Sequence, residues 1–243
     1  MADEVVQLDH LQSTKEVIRH ILHRAGLSRL RPRGRHITAH LNYKTAADRF
    51  SAIYKLGVWK VASDQTSLSG RGSELSATSN IIERLPSLLR DLGCSTLLDV
   101  GCGDWNWLRT VALPCNYIGV DIVPDVIASN MKFAGPSVTF KVANAISDAL
   151  PRADAVLCRD MLFHLSFADA KAALRNIAAS CEWLITTSDA AIWFNSDIDT
   201  GDFRKINLRR RPYCFAAPHM TIRDDALSPG RILGVWRTSE IQI

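Results

Sequence analysis

No two of the six cysteines (Cys94, Cys102, Cys115, Cys158, Cys181 and Cys214) have CxxC spacing. That scatter disfavours both a zinc site and a disulfide framework, and it suits small buried hydrophobes. No apolar run reaches the roughly 20 residues that a membrane-spanning helix requires. The first ten residues, MADEVVQLDH, lack the basic start and apolar stretch of a secretory leader, so the chain reads as cytoplasmic. There is no internal repeat and no low-complexity tract. Charge of one sign is scarce, because 29 Lys and Arg against 25 Asp and Glu leave a net charge of only +4. Two basic runs stand out locally: Arg29, Arg31, Arg33, Arg35 and His36, and then Arg209, Arg210 and Arg211. Each is either a solvated face or a contact for an anionic partner such as RNA, a phosphate group or a membrane surface. What remains is an ordinary globular balance, 47% apolar and 22% charged, over 243 residues. It suits one α/β domain with an extra segment.

Ser13 and Glu16 make a capping box, and Val17, Ile18, Ile21 and Leu22 share a face, which predicts a first helix ending at Gly26. A second helix is expected over Ala46 to Leu56. SLSGRGS, residues 67–73, is either a plain linker or a loop whose glycines let backbone approach a ligand. A helix from about Thr78 to Leu92 follows, with Pro86 expected to kink or divide it. From Thr96 the runs TLLDVG, YIGVDI, VTFKVAN, AVLCRD and WLITTS alternate with helix-like segments, including 124–133 and 169–180. Apolar strands alternating with helices indicate a doubly wound, Rossmann-like α/β sheet. The expected sheet is mostly parallel, with an antiparallel C-terminal strand from ILGVWRTS and helices at the N-terminus. The expected division is residues 1–74, a helical segment and a loop near the ligand, and 75–243, the α/β domain. A polar and aromatic insertion at about 190–230 would bind substrate.

The strongest signal is LLDVGCGD, a buried strand ending in a Gly-x-Gly turn at Gly101 and Gly103. Ligands of open α/β sheets bind beyond the carboxyl ends of the strands. Asp99 offers a carboxylate suited to an ammonium group. The next strand ends at Asp121, 18 positions after Gly103, where a carboxylate can accept from two ribose hydroxyls. Asn144 ends the third strand, and Ile122 and Ala145 complete the expected cofactor set. A dinucleotide fingerprint needs a third glycine, and Asn106 stands there between Trp105 and Trp107. A ligand with an amino-acid tail and a nucleoside head fits better than a pyrophosphate.

LLDVGCGDWNWL followed by YIGVDIVPDVI resembles the first two motifs of class I S-adenosylmethionine-dependent methyltransferases. The resemblance implies that Gly101 and Gly103 hold the methionine part of S-adenosylmethionine, that Asp121 holds the ribose and that Asp99 assists at the methionine end. The family often has an acid where Asn144 stands, for the adenine amine, and an amide oxygen can accept the same bond. The fold resemblance covers roughly residues 75–190. SGRGSEL, LCRDMLFHLSFAD and TGDFRKINL, with Tyr54 and Trp59, extend it to a narrower bacterial group. They are similar to the rhizobial nodulation methyltransferases that 2-O-methylate fucose on lipo-chitooligosaccharides.

An O-methyltransferase gains from a general base, by roughly 10²–10⁴-fold. Asp160 and His164, four apart after the fourth strand, predict such a base, with His164 accepting the proton and Asp160 orienting it or acting directly. The alternative is a capping Asp and a hydrogen-bonded, half-buried His. The exocyclic-amine motif [DN]-P-P-[FYW] is missing, since the fourth strand ends CRDM. Arg159, Asn195, Asp197, Thr200 and Arg204 are the candidates for substrate binding, because polar groups interleaved with aromatics suit a sugar. The leading expectation is O-methylation of a sugar hydroxyl on a glycan or glycolipid. An RNA methyltransferase and a non-catalytic S-adenosylmethionine-binding partner protein are the alternatives.

Overall fold

The apolar runs from residue 96 onward form the parallel core of one seven-stranded sheet. In a computed structural model describing residues 38–60 and 65–243, these strands are β1 (Thr96–Val100), β2 (Asn116–Asp121), β3 (Val138–Val142), β4 (Ala155–Cys158) and β5 (Trp183–Asp189). Two more follow, β6 (Met220–Arg223) and β7 (Arg231–Arg237), and the sheet order is β3-β2-β1-β4-β5-β7-β6. Strand β7 lies antiparallel between β5 and β6, and all other pairings are parallel. The chain leaves β1 toward β2 and β3, then crosses back to β4. The crevice beyond the carboxyl ends of β1 and β4 is therefore the topological switch point where ligands bind.

Side chains on β1 and β4 alternate between two cores, as a pleated strand requires. Leu98, Val100, Val156 and Cys158 face one core, and Leu97, Ala155 and Leu157 face the other. The first face is covered by α1 (Ala46–Leu56), through Phe50 and Ile53, and by α4 (Phe167–Ser180), through Ala170, Leu174 and Ile177. The second is covered by α2 (Leu75–Asp91), through Ile81, Leu85, Leu88 and Leu89. The short helix α3 (Pro124–Asn130) begins with proline at its first turn, where a missing N–H costs nothing. Thr45 caps α1 by accepting from the Asp48 N–H at 3.1 Å, and Ser166 caps α4 in the same way through Asp169 at 3.1 Å. Among the described residues, no helix is long and apolar enough to cross a membrane.

Two expectations need correction or extension. Pro86 does not divide α2, which runs unbroken through it. The four large apolar side chains that α2 buries, Ile81, Leu85, Leu88 and Leu89, contribute roughly 1.5–3 kcal/mol each, which offsets a proline cost of about 3 kcal/mol. Strand β6 was not foreseen, because MTIR is only four residues at a sheet edge, too short to show a period. As expected of the insertion, no regular helix joins β5 to β6, and residues 190–219 form irregular but hydrogen-bonded structure. The expected helix around Ser13 to Leu22 and the first basic run lie outside the described residues.

Candidate active site

Beyond the end of β1 the backbone turns sharply at two left-handed glycines, Gly101 with φ +78° and Gly103 with φ +57°. Neither has room for a side chain. A Cβ on Gly101 would lie 2.8 Å from Met161 Cγ, and one on Gly103 would lie 2.3 Å from Ser69 Oγ. Asp121, at the end of β2, accepts from the Gly103 N–H and from the Val123 N–H, both at 3.0 Å. Each carboxylate oxygen keeps a further lone pair, so the group that shapes the loop can also accept from a diol. Asn130 donates to the Gly103 carbonyl at 2.8 Å and fixes the loop from behind.

One pocket gathers the groups anticipated for the cofactor: Asp99, Gly101, Gly103, Asp121, Ile122, Asn144 and Ala145 all line it. Burial pushes the Asp99 carboxyl up to about 7, against the opposing pull of the Tyr117 hydroxyl bonded to it at 2.8 Å. Burial also raises Asp121, and its backbone bonds partly offset this. Two desolvated carboxylates in one cavity favour a ligand that brings a cation to one and hydroxyls to the other. Asn144 is held in an Asx turn, its Oδ1 accepting from the Ile146 N–H at 3.0 Å. A glycine cradle that a Cβ would fill, flanked by these donor and acceptor groups, fits S-adenosylmethionine.

The loop 67–73 belongs to this site and is not a plain linker. Asp104 accepts from the Ser67 hydroxyl at 3.1 Å, the Leu68 N–H at 2.6 Å and the Ser69 hydroxyl at 3.0 Å. This bonding docks the loop on the Gly-x-Gly turn, where Ser69 and Ser73 line the pocket with Tyr54 and Trp59. Sequence reasoning did not assign these four residues to the site. The two loop glycines and the Asp at 104 were the available signal. Asn106, standing where a dinucleotide site has glycine, donates to the Ser73 carbonyl at 3.0 Å. Trp105 packs against Tyr117 and Phe140 in the core, while Trp107 is both core and pocket wall.

Arg159, Asp160 and His164 also line the pocket, but their relations differ from expectation. Asp160 does not orient His164. It is bonded to Arg231 at 2.7 Å and to Thr187 at 3.1 Å, with Arg159 3.6 Å away. Burial works to raise its carboxyl, but the two guanidiniums outweigh burial and hold it below the usual value. A carboxylate stabilised in its ionised form by two arginines is a poor base. The four-residue spacing misled because Asp160 is left-handed, with φ +63°, and a 3-10 turn rather than an α-turn (Met161–His164) follows. His164 instead meets the Asp202 backbone carbonyl, 2.9 Å from Nδ1. A carbonyl only accepts, so Nδ1 carries the hydrogen and Nε2 carries the lone pair. Burial lowers the His164 pKa, with the Asp202 carbonyl opposing, so the ring is neutral near pH 7. Trp59 and Phe203 flank it, with ring centroids at 4.7 and 5.4 Å.

The remaining substrate candidates are structural in this geometry. Arg159 is spent on Asp224, through Nε at 3.2 Å and Nη2 at 2.9 Å, and on the Gly72 carbonyl at 2.7 Å. Arg204 is fully buried and donates to the Leu165 carbonyl and to the Tyr213 hydroxyl. Thr200 bonds Asp169 and accepts from the Ser166 N–H at 2.9 Å. Asp197 accepts from the Phe167 N–H at 2.7 Å, at the start of α4. Asn195 bridges the carbonyls of Asn207 and Arg211, at 2.9 and 2.8 Å. None of these last four lines the pocket. Their polarity, legible in the sequence, satisfies backbone groups in a segment without secondary structure.

Residues 97–182 match the methyltransferase domain family. No curated protein matches the chain in sequence. Among solved structures, the N-methyltransferase NodS from Bradyrhizobium japonicum WM9, in complex with S-adenosyl-l-homocysteine, is similar with a TM-score of 0.53 and 14% identity, over 77% of this chain and 98% of that one. Magnesium protoporphyrin IX methyltransferase from Synechocystis PCC 6803, with bound S-adenosylmethionine, is similar with a TM-score of 0.47 and 16% identity, over 61% of this chain and 78% of that one. The strand order and the glycine cradle agree with the family match: residues 97–182 form a methyltransferase domain, built on the class I methyltransferase fold.

Proposed function

We propose that the protein is an O-methyltransferase that acts in the cytoplasm on a sugar hydroxyl of a glycan or glycolipid. The 2-position of fucose on a lipo-chitooligosaccharide is the first acceptor to try. The observation that carries this reading is the His164 ring, held in the Nδ1–H form by the Asp202 carbonyl at 2.9 Å in the wall of the cofactor pocket. S-adenosylmethionine, when bound, supplies a methyl group on a sulfonium centre, which leaves the protein to align the acceptor and take its proton. A sugar hydroxyl must lose a proton as its oxygen gains the methyl group, and Nε2 of a neutral His164 accepts it. The depressed pKa of His164 keeps that lone pair available at neutral pH. Trp59 and Phe203 beside it offer apolar ring faces of the kind that pack against the faces of a sugar. The five expected polar contacts, through Arg159, Asn195, Asp197, Thr200 and Arg204, do not support the reading, because those side chains are used within the fold.

The test is methyl transfer from labelled cofactor to a panel of fucosylated and unfucosylated oligosaccharides, with wild type and His164→Ala. The reading expects a sugar methyl ether from wild type. It expects a fall in kcat of roughly 10²–10⁴-fold in the variant, with cofactor binding intact. Methylation of an RNA or an amine under the same conditions, with no sugar product, contradicts it.

A further inference from the structure

We propose that Arg49 and His40 are positioning residues: from outside the pocket they hold the 200–202 turn so that its last carbonyl keeps His164 in the Nδ1–H form. The proposal rests on His164 being the base.

Arg49 sits in the first turn of α1 and donates through Nη1 to the Thr200 carbonyl at 2.8 Å and through Nε to the Tyr43 carbonyl at 2.7 Å. His40 is buried in the turn before that helix, and its Nε2 lies 3.0 Å from the Gly201 carbonyl. Because a carbonyl only accepts, His40 donates from Nε2, and its Nδ1 has no partner among the described residues. Two consecutive carbonyls, of Thr200 and Gly201, are thus pinned from one side. The third in the row, that of Asp202, faces His164.

The turn has little freedom to settle elsewhere. Gly201 is left-handed at φ +101°, and a Cβ there would lie 3.4 Å from Arg49 Cβ. Its N–H donates to the His164 carbonyl at 2.8 Å, and the Arg204 N–H donates to the Phe163 carbonyl at 3.0 Å. The 200–204 segment therefore lies along residues 163–165, and Arg49 and His40 set its position from the opposite side. Without them the turn is held only by its bonds to residues 163–165 and within itself, and the Asp202 carbonyl can shift from Nδ1. The imidazole can then place its hydrogen on Nε2, and the lone pair facing the acceptor is lost. A displacement of about 1 Å at a reacting group lowers rate on the order of 100-fold.

The experiment is ring nitrogen NMR on the full chain with 15N-labelled histidine, with the His164 signals assigned by their loss in His164→Gln. Wild type is expected in the Nδ1–H form. In Arg49→Ala the Nε2–H form is expected to appear and turnover to fall on the order of 10- to 100-fold. Its S-adenosylmethionine affinity is expected to stay within about twofold of wild type, because none of these contacts touches the cofactor side of the pocket. His40→Gln keeps an amide donor for the Gly201 carbonyl and is expected to stay near wild type, whereas His40→Leu follows Arg49→Ala. A folded Arg49→Ala with cofactor affinity intact and His164 still wholly Nδ1–H overturns the proposal. If Arg49→Ala does not fold, indistinguishable His164 spectra in His40→Gln and His40→Leu overturn it instead. A shifted tautomer with undiminished turnover overturns His164 as the base, which is failure of the proposed function and not of the positioning contact.

Discussion

Asp99 concentrates the electrostatics of the site in one side chain. Its carboxyl is raised to about 7, mainly by burial, and ligand binding with an ammonium group favours the ionised form. Cofactor affinity is therefore expected to rise about tenfold per pH unit up to roughly pH 7 and to level off above it. Calorimetric titrations from pH 5.5 to 8.5 check this. Asp99→Asn should bind more weakly and show no such slope, and an equally sloped variant would assign the titration to another group. Gly103 makes the matching steric statement. Its φ of +57° and the 2.3 Å approach of a Cβ to Ser69 Oγ leave no place for alanine. Gly103→Ala is expected to lower stability by roughly 1–3 kcal/mol in denaturant melts and to abolish cofactor binding. At this scale the sequence was informative for the cofactor, because glycines and strand-end acids are local signals. It pointed to His164 but not to what orients it, because that partner is the backbone carbonyl of a residue 38 positions away. No side-chain spacing encodes that contact.

At the scale of elements, apolar strands and caps were legible because each is written within a few consecutive residues. Thr45 before α1 and the run of β4 are examples. The insertion at about 190–230 was recognised as a departure from the rhythm, but its polar residues were assigned to a ligand. They hold the insertion together instead, and Arg204 decides between the two meanings. It is fully buried, lies over the Phe167 ring at 4.8 Å and bonds Leu165 and Tyr213. Arg204→Ala is expected to lower unfolding free energy on the order of 2–4 kcal/mol, from a cavity plus an orphaned carbonyl. A variant of unchanged stability with a raised KM for acceptor would restore Arg204 to substrate binding. The buried cluster of Arg159, Arg231, Asp160 and Asp224 was invisible in the sequence for a related reason. It joins the end of β4 to β6 and β7, about 65–70 residues later, through bonds of 2.7–3.2 Å. Asp224→Ala removes the buried carboxylate that two buried guanidiniums share and is expected to cost roughly 3–5 kcal/mol of stability, measurable by denaturant unfolding.

Across the whole molecule, the sheet supplies a cofactor cradle at its switch point, and segments from either end of the chain close over it. Tyr54, Trp59 and the 67–73 loop come from before the sheet, while Phe203 and the carbonyl that holds His164 come from the insertion after β5. The central claim is that this cradle binds S-adenosylmethionine with Asp121 on its ribose. Isothermal titration of the cofactor into wild type and Asp121→Asn, with melting curves to confirm that both are folded, tests it most directly. One site per chain in wild type and a loss of affinity on the order of 10- to 100-fold in the variant are the predicted result. A folded wild type that takes up no S-adenosylmethionine, or a folded variant that binds it as tightly as wild type, contradicts the account.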